Sequence, residues 1–373
     1  MAVFPDYDKS IVSLSNSLLK FFDVPPQHSG LAALDRILSG ANKKNIVFMI
    51  LDCLGVEILN RHLPADSFLR RHFVEKISSV FPPTTTAATT SLHSGLCPAE
   101  HGWVGWAPYF KEQGRVIEIF LNRDFYTQEI LTTPPVRDSL PYQTIYQKIT
   151  AAHPDVEYHR VFPPFDPNGV KSFAEMCRRI PQIAAASQKR KIISAYWPYP
   201  DHDLHRQGTK SEIVRQGLLQ MDAELKRMAG ELSDAVLIVT ADHGIVDVEE
   251  SSLNDYPELL SCLALPPSLE ARFVSFFIKP DKKDFFATEF KRIFDADFML
   301  LSRQEFLDSG YLGGGKRHER IAEFIGDFVA VGITQKSLRY QSEQGTGFQH
   351  FAADHAGLTQ AELDVPLIVC VKD

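Results

Sequence analysis

Six consecutive apolar residues, Ile46-Val47-Phe48-Met49-Ile50-Leu51, run directly into an aspartate, Asp52. A strand with no polar position has no face to give to water, so it belongs in a parallel sheet covered on both sides. Ile192 to Trp197 and Val236 to Thr240 have the same character. A fourth run, Val365 to Val371, carries Pro366 near its start, where a missing N–H is tolerated. Between the second and third runs, Val214, Leu218, Met221, Leu225, Met228 and Leu232 form one helical stripe. Thr209 and Glu212 offer a capping box at its start. Strand, helix and strand in alternation imply an α/β fold with a largely parallel central sheet and helices on both faces. Functional residues of such sheets gather beyond the carboxyl ends of the strands. Asp52, Asp201 and Asp242 each come just after one of these runs.

A chain of 373 residues holds one large domain or two modest ones, and 44% hydrophobic content supports a substantial core. The net charge of -8 argues against a nucleic-acid polymer or an anionic membrane as partner. No apolar run is long enough for a membrane-spanning helix, and the opening segment lacks a basic-then-apolar signal pattern. Five cysteines, odd in number and widely spaced, make no disulfide framework, which points to the cytoplasm. No Cys-x-x-Cys pair suggests a thiolate zinc site.

Residues 255–352 read differently. Phe273 to Lys279, Phe298 to Leu301 and Phe328 to Gly332 suggest short strands, with Gly313-Gly314-Gly315 as a mobile link. This stretch is expected to be a smaller inserted α/β lobe covering or flanking a core made of 1–254 plus 353–373.

Chemistry concentrates in four places. Pro82-Pro83-Thr84-Thr85-Thr86 reads as a helix entry, the helix ending near Gly95. Free N–H groups there favour an anion, and a hydroxyl so placed can attack phosphorus. Asp201 and His205 are four apart, on one face of a helical turn, as two ligands to one metal require. His202 and Asp203 stand in the same stretch. Asp242-His243-Gly244 follows a buried strand, and a turn there can aim both side chains inward, Gly244 letting the backbone pass close to metals. His355, in Asp354-His355-Ala356-Gly357, completes the set; Thr359 and Glu362 form a capping box before the last strand.

Taken together, these residues resemble the alkaline phosphatase superfamily, most closely its type I phosphodiesterase/nucleotide pyrophosphatase branch. The order is that family's: Asp52 after a strand, a nucleophile helix, Asp201 and His205, Asp242 to Gly244, then His355. Ser94-Gly95-Leu96-Cys97-Pro98-Ala99-Glu100-His101-Gly102 is similar to the signature after the nucleophile, and counting back from it places the nucleophile at Thr85. The resemblance implies an alkaline-phosphatase-like fold and two divalent metal ions, zinc by preference. Asp201, His205 and His355 would hold one, and Asp52, Asp242 and His243 the other, with Thr85 Oγ1 on the second. Three protein ligands per ion leave a position open, as catalytic sites do. At the place where the branch often has a phosphoryl-binding asparagine, this chain has Trp106.

The implied reaction is hydrolysis of a small phosphate ester of nucleotide type, a diester or pyrophosphate, through a phosphothreonine intermediate. A phosphomonoesterase or phosphonate hydrolase with the same metals is the nearest alternative. A non-catalytic, metal-stabilised binding protein is the alternative of another class. Thr85-Thr86-Ala87-Ala88-Thr89 lacks the cysteine- or serine-based pattern of sulfatases.

Overall fold

In the computed structural model, which describes residues 2–135, 139–342 and 350–373, every residue of Asn45–Leu51 and of Ala235–Thr240 is buried. Their apolar side chains are therefore covered on both faces of a six-stranded sheet. The order across it is Phe73–Ser78, Asp364–Lys372, Ala235–Thr240, Asn45–Leu51, Lys191–Trp197, Glu157–Val161. Asn45–Leu51 is parallel to both neighbours, and Glu157–Val161 is parallel to Lys191–Trp197. Asp364–Lys372 runs antiparallel to the strands on either side of it. All four apolar runs are strands, and they occupy the inner positions. The two edge strands carry no continuous apolar signal: Glu157–Val161 alternates in exposure, and Phe73–Ser78 is largely exposed until it is buried at Ile77 and Ser78.

The amphipathic stripe forms Glu212–Glu231, and Val214, Leu218, Met221, Leu225 and Met228 face the core. Its N-cap differs from the expected one. Ser211 accepts the cap bond from Val214 N–H, while Thr209 is turned away onto Asp247, its N–H and Oγ1 donating at 2.6 and 2.9 Å. The capping box before the last strand forms as expected, on Gln360–Leu363.

A four-stranded antiparallel sheet lies in the second half of the chain, in the order Ser268–Leu269, Phe273–Phe276, Phe328–Gly332, Phe298–Ser302. Phe276, Phe286, Phe290, Phe294 and Phe298 form the core beneath it. Of Gly313 to Gly315, expected as a mobile link, Gly313 and Gly315 lie against other parts of the chain, while Gly314 is exposed and faces open space. Gly313 and Gly315 adopt φ of +83° and +88°, and a Cβ on Gly315 would lie 2.3 Å from Glu100 Cδ. Glycine serves there because the backbone is left-handed and pressed onto the helix Pro98–His101. Among the described residues no helix is long and apolar enough to cross a membrane, and all five cysteines are buried and unpaired.

Candidate metal and phosphoryl-transfer site

Three central strands end nearly level, because Leu51 lies opposite Trp197 and Ile50 opposite Thr240. Asp52 follows the first, and its N–H donates to Trp197 O at 3.0 Å. Asp201 opens the helix Asp201–Gln207 after the second, and Asp242 follows the third. His355 comes from the turn after Ala353–Asp354, a short strand paired antiparallel with Val246–Asp247. Thr85 begins the helix Thr85–Ser94, capped at its far end by Gly95 in the left-handed conformation. Seven residues spread over three hundred positions thus meet at one end of the sheet.

Their atoms fall into two groups of three. His205 Nε2 and His355 Nε2 lie 3.3 and 3.7 Å from Asp201 Oδ1. His243 Nε2 lies 3.6 Å from Asp52 Oδ1 and 3.5 Å from Asp242 Oδ2. The rings of His243 and His355 stand 3.9 Å apart and join the groups. In each triad the donor atoms lie within 4.8 Å of one another. Thr85 Oγ1 is 3.2 Å from His243 Nε2.

Hydrogen bonding prepares these atoms for a cation. His205 Nδ1 faces Ala353 O at 2.8 Å, His243 Nδ1 faces Gly244 O at 3.0 Å, and His355 Nδ1 faces Pro83 O at 3.1 Å. A carbonyl only accepts, so each Nδ1 carries a proton, which leaves Nε2 as the ring atom turned toward its triad. Asp52 Oδ1, Asp201 Oδ1 and Asp242 Oδ2 are buried and have no hydrogen-bond partner among the described residues. Three such carboxylate oxygens in one place carry a desolvation cost that a bound cation would offset. Second oxygens are anchored: Asp242 Oδ1 accepts from Cys53 and His243 N–H at 3.0 Å each, and Asp52 Oδ2 accepts from Tyr196 Oη.

Proton affinities reflect the crowding. Burial, then Asp242 and Asp201, push the Asp52 carboxyl well above the usual range, and burial also raises Asp242. Burial pushes Asp201 up as well, but His205, His355 and His243 outweigh it and hold Asp201 low. His205 resists burial because of Asp201 and rises to about 9, while burial and the other two imidazoles drive His355 well down. Like charges this close cannot all persist without positive charge between them.

The site opens into a cavity of about 510 Å³ lined by Thr84, Thr85, Trp106, Arg123, Tyr126, His205, Glu270, Tyr340, Phe351 and His355 among others. Burial raises Glu270 in its wall to about 8. The three neighbouring threonines separate here. Thr84 Oγ1 donates to Glu270 Oε1 at 2.8 Å, Thr85 Oγ1 faces His243, and Thr86 Oγ1 is buried without a partner among the described residues. Trp106 lines the cavity with both N–H donors spent, the backbone on Glu270 Oε1 at 2.6 Å and the indole on Glu118 Oε1 at 3.1 Å. His202 lines the outer cavity, outside both triads.

Sequence reasoning missed Cys53, Tyr196 and Glu270. Cys53 groups with Asp201 and His243, and its φ of +64° is a left-handed conformation unusual for a side chain of this kind. A cysteine directly after the strand-end aspartate was the available signal. The reason for Gly244 also differs: a Cβ there would meet Ala361 O at 2.0 Å, so the close approach is to the short helix Gln360–Leu363 before the last strand. A separate grouping, His28, Cys97 and Glu100, is hydrogen-bonded rather than open, with His28 Nε2 and Glu100 Oε2 at 2.6 Å.

A family model described as type I phosphodiesterase / nucleotide pyrophosphatase matches residues 46–298. A comparison with curated proteins finds no match. Among solved structures, the chain is similar to murine ectonucleotide pyrophosphatase / phosphodiesterase 5, at 16% identity and TM-score 0.64, covering 87% of both chains. An inactive threonine-to-alanine form of the murine protein is recorded in complex with AMP, at 16% identity and TM-score 0.64, covering 88% of both chains. Phosphonoacetate hydrolase from Sinorhizobium meliloti 1021, in complex with phosphonoformate, is similar at 16% identity and TM-score 0.61, covering 88% of this chain and 90% of that one. At these identities the likeness shows a shared fold.

Proposed function

We propose that this chain, which belongs to the type I phosphodiesterase / nucleotide pyrophosphatase family and is a hydrolase, cleaves phosphodiester or pyrophosphate bonds of nucleotide-type substrates through a phosphothreonine intermediate. The observation that carries the reading is the position of Thr85 Oγ1. It sits at a helix N-terminus, 3.2 Å from His243 Nε2, beside two triads whose carboxylate oxygens lack partners.

The donor set fits two divalent ions, most simply zinc: Asp201, His205 and His355 would hold one, and Asp52, Asp242 and His243 with Thr85 the other. When bound, such ions would supply Lewis acidity, lowering the threonine pKa and neutralising charge on the phosphoryl oxygens. The chain's own residues do the rest. Thr85 Oγ1 loses its proton and attacks phosphorus in line, the bond to the leaving oxygen breaks, the leaving group takes up a proton from solvent, and phosphothreonine forms. N–H groups of the first helical turn face the phosphoryl oxygens and stabilise their charge. Water then displaces Thr85 from phosphorus and releases the phosphate product. Tyr126, Tyr340 and Phe351 give the cavity aromatic surface suited to a nucleoside, and the murine neighbour's complex with AMP supports that substrate class.

We also assign residues 255–352 to a flanking lobe that shapes substrate choice, since Glu270 and Tyr340 of that stretch line the cavity. The buried, unpaired cysteines support a reducing compartment, the cytoplasm. A second reading, phosphonate hydrolysis, is favoured by the likeness to phosphonoacetate hydrolase. A panel of a phosphodiester, a dinucleoside pyrophosphate, a monoester and a phosphonate, run on protein of known metal content, separates the readings. Preference for the phosphonate or the monoester would replace the diesterase reading. No turnover at full metal content would end it.

A further inference from the structure

Three arginines line the cavity among the described residues: Arg123, Arg206 and Arg339. Arg339 is paired with Glu250 and Asp354. Arg206 is exposed, and its side chain makes no hydrogen bond or ion pair among the described residues. Arg123 differs from both, because it is held in place and keeps donors to spare. Its short strand, Arg123–Asp124, pairs antiparallel with Arg115–Glu118, and the register sets Arg123 directly opposite Glu118. The buried Glu118 carboxylate accepts from Arg123 twice, Nε–H on Oε2 and Nη2–H on Oε1, the latter at 3.2 Å. Those bonds use two of the five N–H groups of a guanidinium. The other three have no partner among the described residues, and 34% of the side chain is exposed. A run of hydrogen bonds ties this group to the nucleophile's end of the cavity. Thr84 Oγ1 and Trp106 N–H both donate to Glu270 Oε1, at 2.8 and 2.6 Å, and the Trp106 indole donates to Glu118 Oε1 at 3.1 Å. Arg123 thus stands on the same wall as Thr84, one indole and one carboxylate along.

We propose that Arg123 is a specificity-determining residue that receives a further phosphate of the substrate, beyond the phosphorus that Thr85 attacks, so that the site favours pyrophosphate-linked nucleotides over simple diesters. The inference rests on the phosphohydrolase reading above and narrows it. A simple diester carries one anionic phosphorus, and that one belongs at Thr85. A pyrophosphate diester carries a second, which needs donors of its own further along the cavity. A guanidinium held by a carboxylate on one edge can still offer the remaining N–H groups to phosphate oxygens. Glu118 cancels the charge of Arg123 at long range, so the contact works through short, directed N–H donation. Arginine stays protonated at any working pH, so the role assumes no particular protonation state. Cross-strand pairing with Glu118 has already ordered the side chain, whereas Arg206 would lose its rotamer freedom on binding. Trp106 acts in this arrangement as a positioning residue, holding Glu118 rather than the substrate.

A ratio of two substrates separates recognition from simple support of the strand pair. Metal-loaded wild type, Arg123→Gln and Arg206→Gln would be assayed on diadenosine pyrophosphate and on bis(p-nitrophenyl) phosphate, with metal content checked in each. Arg123→Gln should lower the pyrophosphate-to-diester ratio of kcat/KM roughly 10- to 100-fold, as expected for lost hydrogen bonds to a charged group. Arg206→Gln should leave that ratio within roughly threefold of wild type, being the unheld arginine. Damage to the fold alone would lower both activities and leave the ratio where it was, and that result would overturn the proposal. So would a ratio that falls in Arg206→Gln and not in Arg123→Gln. Should the glutamine variant fail to fold, Arg123→Lys keeps a cation against Glu118 but loses the fork, and the ratio should still fall. If neither ester is turned over, the functional reading fails first, and affinity still judges Arg123. Calorimetry on metal-loaded protein should then show wild type binding ADP roughly tenfold or more tightly than AMP, and Arg123→Gln losing that preference. An equal ADP-to-AMP preference in the two proteins would reject the role.

Discussion

Arg272 and Glu362 test how far the site depends on one buried ion pair. Both side chains are fully buried and meet bidentately, Nε to Oε1 at 2.7 Å and Nη2 to Oε2 at 2.8 Å. Arg272 precedes the strand Phe273–Phe276, and Glu362 lies in the short helix before the last central strand, so the pair joins the two sheets. Glu362 does more. It accepts from Gly357 N–H at 2.7 Å, Thr359 N–H at 3.1 Å and Thr359 Oγ1 at 2.6 Å, and so holds the turn that carries His355. Arg272→Met leaves the carboxylate buried with three of its five donors. Breaking such a pair costs about 3–5 kcal/mol, and the surviving donors put this variant near the lower end, about 3 kcal/mol. Glu362→Ala leaves the buried guanidinium with the Lys336 carbonyl but without its counter-ion, and strands Gly357 and Thr359 as well, so it belongs at the upper end, about 5 kcal/mol. Urea unfolding of metal-loaded protein gives both costs, and metal analysis gives occupancy. The Glu362 variant should be the less stable and should lose metal on the His355 side, while Arg272→Met keeps its metal until it unfolds. A loss below about 1 kcal/mol for Arg272→Met, or the reverse order of the two variants, would refute the argument.

The remaining predictions concern the nucleophile, the metals and pH. Thr85→Ala should lower diester turnover by roughly three orders of magnitude or more at unchanged metal content, and Thr85→Ser should retain measurable activity. The same collapse in Thr84→Ala or Thr86→Ala but not in Thr85→Ala would assign the nucleophile elsewhere. Zinc-reconstituted protein should approach about two metal equivalents, and His355→Ala about one, because the donors fall into two triads. One equivalent in both would contradict the division. His101 is buried and held neutral, taking Trp103 N–H on Nδ1 at 3.0 Å with Ser91 Oγ 2.9 Å from Nε2, and burial lowers it to about 3. A depressed folded-state value means its stabilisation is full above pH 6.5 and is lost as pH falls toward 3. By pH 5.5 that loss is about 1.4 kcal/mol, and it should vanish from the stability difference between pH 7.5 and 5.5 in His101→Gln.

Legibility in the sequence followed burial. Asn45–Leu51 and Ala235–Thr240 could be read because an inner strand must be apolar at every position. Phe73–Ser78 could not, since this edge strand is largely exposed and mixes Phe73 and Val74 with Glu75 and Lys76, so no apolar run marks it. The seven candidate residues were legible because ligand chemistry restricts residue type and each sits after a recognisable element. Glu270 and Tyr196 were not. A glutamate in a turn and a tyrosine at the end of a strand have many ordinary uses, and only tertiary contact sets one beside Thr84 and the other beside Asp52. Thr209 shows the converse error: a valid local capping pattern lost to Asp247, thirty-eight residues away, and Ser211 took the cap.

Thr84, Thr85 and Thr86 show where sequence logic ends and geometry takes over. Their hydroxyls are chemically equivalent, and each could in principle attack phosphorus. Thr84 is the N-cap, extended at φ -141° and ψ 150°, while Thr85 is the first residue of the helix. That change in backbone sends successive side chains in different directions. Thr84 Oγ1 is committed as a donor to Glu270, and Thr86 Oγ1 is enclosed. Thr85 Oγ1 alone of the three faces an imidazole of the candidate metal-binding triads, that of His243. A nucleophile needs a base or cation at its oxygen, an anion-stabilising helix end and an open approach. Of the three hydroxyls, Thr85 Oγ1 is the one beside an imidazole at a helix N-terminus, and that geometry supports the proposal that it is the nucleophile.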